Sequence, residues 1–138
     1  MTTETSDSLV PTEIESIGKI HFIGGIFNVV SMLIATAIYL VSGLFGALFI
    51  IGAIVWCCVP FSIASAVIGG LEIASGSKHQ KHVANPGAVP LKKSPKTLAI
   101  LQIVFGVLAL NVVQIVLGIL VITKVKNPEV AAYYESQA

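Results

Sequence analysis

Charge is what this sequence has least of. Only 11% of its residues are Asp, Glu, Lys or Arg, and a mean hydropathy of +0.92 lies outside the range of soluble globules. The deficit is concentrated between Lys19 and Lys78, where the only ionisable groups besides thiols and Tyr39 are His21 and Glu72. A formal net charge of +1 gives no bulk attraction to nucleic acid, which is excluded as a partner. Cysteine is equally scarce. Cys57 and Cys58 are neighbours that bridge only with strain and lack zinc-site spacing, so they read as small core residues. The polar, acidic stretch Met1 to Ser8 has no basic n-region, so it does not read as a cleaved signal, and the first span is its own insertion signal.

Catalytic signatures are missing as well. No nucleophile elbow, H-E-x-x-H, P-loop or dinucleotide fingerprint occurs, and the expectation is a protein that is not an enzyme and carries no cofactor. His21 stands alone in an apolar segment. His79 and His82 have helical i, i+3 spacing but make no metal ligand set, so no metal is expected.

What the chain has in abundance is apolar length. Ile20 to Ser77 holds two membrane spans of roughly 20 residues and a tight turn, with no room for a third. The expected fold is an all-α integral membrane protein in a single domain: a transmembrane helical hairpin followed by a long third apolar helix. That third helix has an alternative form, broken in two to give four helices.

In chain order, residues 1–12 form a polar tail ending in Thr12 and Glu15, a T-x-x-E capping box. The first span is placed at residues 18–41. At 100° per residue His21, Gly24, Asn28, Ser31, Ala35 and Ser42 share a small, polar face, while Phe22, Ile26, Val29, Val30, Leu33 and Leu40 lie largely elsewhere. The first face should meet protein and the second lipid. Ser42 and Gly43 mark a turn, with Tyr39, Phe45 and Phe49 as an aromatic belt. The second span occupies residues 44–75, is kinked at Pro60, and carries a second stripe of Ser62, Ser65, Gly69, Glu72 and Gly76.

Residues 76–96 read as a basic, proline-rich loop. Its Lys78, Lys81, Lys92, Lys93 and Lys96 place it and the N-terminus in the cytoplasm by the positive-inside rule and face it towards anionic lipid. The apolar run 97–123 is one long helix or a pair of legs broken near Asn111. Two legs of about 13 residues are too short to cross roughly 30 Å, which favours one helix, whereas Lys124 and Lys126 would join the other lysines only in a hairpin. In the single-helix form the C-terminus lies opposite the basic loop. Asn111, Gln114 and Gly118 share one face in either form. Asn127, Pro128 and Glu129 read as N-cap, N1 and N2 of a short helix in the tail 127–138, with Val130, Tyr133 and Tyr134 at the interface.

The stretches VIGGLEIASG (Val67 to Gly76), KTLAILQIVFG (Lys96 to Gly106) and LGILVITKVKNPEVAAYY (Leu117 to Tyr134) resemble small, uncharacterised bacterial multi-span membrane proteins. More distantly they are similar to eukaryotic tetraspan families of the membrane-spanning four-domain type. The resemblance implies a helical membrane protein of the bacterial inner membrane; it implies no activity and carries over no site residue.

Two functions follow as expectations. The first is a non-enzymatic accessory or scaffold subunit, a homo-oligomer or part of a larger membrane complex, packing through Gly24, Asn28, Ser31, Ala35, Ser65, Gly69, Asn111, Gln114 and Gly118. The alternative is an oligomeric channel or transporter component with a polar path through Asn28, Glu72 and Gln102. An intramembrane carboxyl needs a partner or a task. Glu72 is expected to pair with Lys19, His21 or Lys78, failing which it handles protons or cations.

Overall fold

A computed structural model describes residues 10–46 and 50–137. The N-terminal tail to residue 9 and Phe49 of the expected aromatic belt lie outside the described residues. Five helices in chain order make up the fold: α1 (Thr12–Gly46), α2 (Ile50–Ala84), α3 (Lys96–Leu108), α4 (Val112–Val125) and α5 (Pro128–Ser136). No strand occurs among the described residues. α1 and α2 are each 35 residues long and contain stretches apolar enough to cross a membrane.

α1 and α2 pack as an antiparallel pair whose backbones nearly touch. A Cβ on Gly25 would sit 2.6 Å from the Gly69 carbonyl oxygen, and one on Gly76 would sit 2.5 Å from the Phe22 nitrogen and 2.7 Å from the Gly18 carbonyl oxygen. Such closeness maximises dispersion contact and lets short polar side chains bridge the helices. Asn28 Nδ2 donates to the Ser65 carbonyl at 2.8 Å, Ser65 Oγ donates to Asn28 Oδ1 at 3.2 Å, and Thr36 Oγ1 donates to Ser62 Oγ at 3.0 Å. The second stripe is buried throughout, from Ser62 to Gly76. The first is buried from His21 to Asn28 but fades beyond it: Ser31 and Ala35 are half-buried, Ser31 bonds its own helix at Asn28, and Ser42 is exposed. Ile26, Val30, Leu33 and Leu40 face outward as expected.

Several expected boundaries move. Ser42 and Gly43 do not form the turn, because α1 continues to Gly46 and Gly43 is a notch under the Trp56 indole. Cys57 is not core but exposed on the outer face of α2, and no disulfide links it to Cys58. α2 remains helical through Pro60. It also runs on past Ser75 to Ala84, so the first part of the expected basic loop is helix, buried on its His79 and His82 face. At the other end no capping box forms. The Ile14 N–H donates to the Pro11 carbonyl at 2.9 Å, and Glu15 instead pairs with Lys19 at 2.5 Å.

The favoured single third helix is also corrected, since residues 97–123 fold as the helical pair α3 and α4. The break is a three-residue link that closes on itself. The Leu110 N–H donates to the Val107 carbonyl at 3.2 Å and the Asn111 N–H to the Gly106 carbonyl at 2.7 Å, which ends α3 in a Schellman pattern. Asn111 then caps α4, its Oδ1 accepting from the Gln114 N–H at 3.3 Å. Leu110 occupies the left-handed position usually given to glycine, with φ 54°, and its side chain is 87% exposed. Gly106 and Gly118 let the two legs close, Gly118 lying over the Ala99 carbonyl.

α3 packs on α2 and α4 on α1, so a four-helix bundle forms along only the part of the long hairpin nearest the basic residues. The C-terminus also departs from expectation. α5 folds back onto that same basic end, where Ile14, Ile17, Leu91, Val121, Val130 and Tyr133 belong to one apolar core. Its start was legible: Asn127 Oδ1 accepts from the Glu129 N–H at 3.1 Å, with Pro128 at the first helical position.

The glycine contacts make a prediction with an internal control. Gly25→Ala and Gly76→Ala should each lower stability in mild detergent by about 1–3 kcal/mol through overpacking against backbone. Gly70→Ala, where nothing lies within 4 Å of the new methyl, should be neutral or slightly stabilising. Thermal unfolding in micelles measures all three, and equal effects at the three positions would contradict the packing.

Candidate functional site

Where the four long elements overlap, each contributes polar side chains to one interior region. His21 and Gly24 come from α1, Glu72 from α2, Gln102 from α3, and Gln114 from α4; the four polar residues are at most 1% exposed. Their positions follow from local structure. Glu72 lies between the close contacts of Gly69 and Gly76, which hold it against α1. Gln114 is fixed by the Asn111 cap at the start of α4, and its Nε2 donates to the Gly24 carbonyl at 3.0 Å. Gln102 approaches Gly24 from α3.

The unmet hydrogen-bonding capacity of this region is its main property. Both ring nitrogens of His21, both carboxylate oxygens of Glu72 and both amide atoms of Gln102 are buried without a hydrogen-bond partner, as is Gln114 Oε1. Gln114 approaches Glu72 without completing a bond. Each such group costs about 1–3 kcal/mol relative to a satisfied one, and more when charged. The expected pairing of Glu72 is not found. Lys19 is committed to Glu15, which is the one ion pair among the described residues, and His21 makes no hydrogen bond to the carboxylate. Asn28, Glu72 and Gln102 are each buried within the single chain. Asn28 continues the polar series deeper along α1 and α2 through Ser65, Ser62 and Thr36. No group of three His, Cys, Asp or Glu among the described residues is arranged to hold a metal.

A second polar cluster closes the basic end, beyond the apolar part of α2. His79 Nδ1 lies 2.7 Å from the Ser75 carbonyl and its Nε2 2.7 Å from the Tyr134 hydroxyl. His82 repeats the arrangement one turn on, 2.6 Å from the Val89 carbonyl and 2.6 Å from the Tyr133 hydroxyl. A carbonyl only accepts, so each Nδ1 carries a proton and donates, which leaves each Nε2 to accept the phenol O–H of a neutral pair. The rings meet edge to face, 6.1 Å and 5.7 Å between centroids. This double clamp was missed in sequence, where the tyrosines read as interfacial. The signal was present as the i, i+3 histidines and the adjacent tyrosines, but nothing local says that they meet across 51 and 55 residues.

Of the lysines, Lys78, Lys81, Lys92, Lys93 and Lys96 are all exposed. No protein-family model matches the chain, and no curated protein or solved structure matches it.

Removing one phenol hydroxyl strands a buried imidazole nitrogen. Tyr133→Phe and Tyr134→Phe should each weaken the docking of α5 by about 1–3 kcal/mol, read as faster amide exchange over residues 130–137. Burial, with Tyr133 adding to it, raises the Tyr134 phenol above its ordinary value of 10. A raised acid stabilises fully below its unfolded value, so the clamp holds at neutral pH and loosens as pH rises above 10. Phenolate absorbance should show a late-titrating component that Tyr134→Phe reduces and that Tyr133→Phe must join to remove, since burial raises Tyr133 too; a late component unchanged by Tyr134→Phe would contradict the burial.

Proposed function

We propose that this chain is an integral membrane protein that handles protons or small monovalent cations through the region formed by His21, Glu72, Gln102 and Gln114. The observation that carries this reading is the buried, unpartnered Glu72 carboxyl surrounded by unpartnered polar groups from the other three helices. Such an arrangement costs stability and returns none, so it is retained for a task. A carboxylate with carboxamide oxygens offers oxygen ligands to a cation, and the imidazole of His21 takes or gives a proton. The reading is non-enzymatic and needs no cofactor.

The bilayer placement has its own support. α1 and α2 present an exposed belt that includes Ile23, Phe27, Ile34, Val67 and Leu71. α3 and α4, of 13 and 14 residues, reach only about 20 Å, short of a hydrocarbon core of roughly 30 Å. We therefore read them as a re-entrant pair that enters and leaves by the basic face, with Leu110 at its tip. The link engages its own N–H groups, those of Ala109, Leu110 and Asn111 all donating to α3 carbonyls, which suits non-helical backbone at such a depth. Lysines at 19, 78, 81, 92, 93, 96, 124 and 126 then belong to one side, which supports a cytoplasmic N-terminus, basic segment and C-terminus. The proposed membrane is the bacterial inner membrane.

Purified protein in liposomes tests the cation reading, with an internal pH dye and with potassium- and sodium-selective dyes. Glu72→Gln should reduce flux at least tenfold. Flux unaltered by the substitution removes Glu72 from the mechanism, and wild-type liposomes no leakier than empty ones remove the reading.

An accessory subunit is the second reading, favoured by the distal part of the α1 and α2 hairpin. There Ala37, Ile38, Val41 and Ser42 line an open surface groove that α3 and α4 do not cover. Blue-native electrophoresis after gentle solubilisation should show a homo-oligomer or a co-purifying membrane protein; a strictly monomeric species counts against it.

A further inference from the structure

We propose that the basic end carries a specific site for the phosphate headgroup of an anionic phospholipid, built from Lys78, Lys92 and Lys93. A cavity of about 460 Å³ opens between the end of α2 and the segment leading to α3, lined by these lysines with Ser75, Leu91 and Pro95 among others. Lys81 and Lys96, equally basic in sequence, lie outside its lining. The proposal rests on the bilayer placement above but not on the cation path.

The backbone carrying Lys92 and Lys93 is pinned on both sides. The Val89 carbonyl accepts from His82 Nδ1 at 2.6 Å, Leu91 is 2% exposed in the apolar core, and the Pro95 carbonyl accepts the Ala99 N–H at 3.0 Å as α3 begins. Folding thus brings like charges to one cavity, and none of the three ammonium groups forms an ion pair among the described residues. That convergence is unfavourable until an anion enters. α3 begins beside these lysines: Pro95, which precedes its first residue, lines the same cavity and provides no side-chain cap.

The lower rim decides for a lipid over a soluble phosphate. Ala74 lines the cavity, and Leu71 and Val67 continue its face of α2 one and two turns further into the apolar belt, 51% and 60% exposed. Gly70 beside them leaves open space. A diester phosphate among the lysines therefore has a track for its acyl chain directly below, which inorganic phosphate would not use.

Full-length protein in nanodiscs of phosphatidylglycerol and phosphatidylcholine, or in micelles carrying the same lipids for native mass spectrometry, gives the test. Carbonate-washed membranes separately establish the bilayer placement. Wild type should retain phosphatidylglycerol at least about tenfold over phosphatidylcholine, since each lysine near the surface is worth about a factor of five. The triple change Lys78→Gln, Lys92→Gln and Lys93→Gln should abolish most of that preference. Lys81→Gln, Lys96→Gln and Lys126→Gln together, which remove the same charge, should leave it within about twofold. Equal loss in both triples means diffuse surface charge and overturns the site, as does no preference in wild type. Displacement of the lipid by millimolar inorganic phosphate, with phosphate bound in lipid-free micelles, overturns the lipid assignment.

Discussion

The backbone contact between α1 and α2 is the constraint on which the rest depends. With hydrogen in place of a side chain at Gly25, Gly69 and Gly76, the two helices come close enough for a single short amide, Asn28, to reach across to the Ser65 carbonyl. The same closeness removes water from the interface, so any polar side chain caught there must be met by protein or by something the protein binds. Asn28 and Ser65 are met by one another. Glu72, between two of the close glycines, is not, and its solitude is a consequence of the packing around it rather than of a loose fit.

The short pair α3 and α4 completes the interior because of how its link is made. The link closes α3 through the Ala109, Leu110 and Asn111 N–H groups, and it does so without the glycine usually found at the left-handed position. Leucine there costs roughly 1–2 kcal/mol in conformation. The Asn111 cap then orients the first turn of α4, and through it Gln114 over Gly24. Helix ending, helix start and placement of one interior amide are thus a single local event.

Much of this was readable from composition and periodicity. The helical hairpin, the buried stripe from Ser62 to Gly76, the shared face of Asn111, Gln114 and Gly118, and the Asn127 start of α5 follow from spacing alone. The errors share one cause. Length arguments assumed that every apolar helix must cross the bilayer, which favoured a single helix over 97–123 and sent the C-terminus to the far side. The short legs α3 and α4 instead pack along only part of the longer α1 and α2 pair. Gly43 was read as part of a turn, where it instead lies against the Trp56 ring inside α1, and Gly76, read as a packing position, was also taken as the start of the loop although α2 continues through it. Pairing of Glu72 was inferred from proximity in sequence, but Lys19 has Glu15 one turn away on its own helix and Lys78 points to solvent.

The two polar clusters are stacked rather than separate. Glu72 and His21 lie on facing helices of the antiparallel pair, and Gly18, one turn from His21, meets the Cβ of His79 with no room for a methyl group. His79 in turn is held by the Ser75 carbonyl and by Tyr134 of α5. The lid over the interior polar region is therefore the hydrogen-bonded end of α2 itself. On the far side the Asn28, Ser65, Ser62 and Thr36 series engages its polar atoms with one another, so the interior region is bounded along α1 and α2 by hydrogen-bonded clusters at both ends.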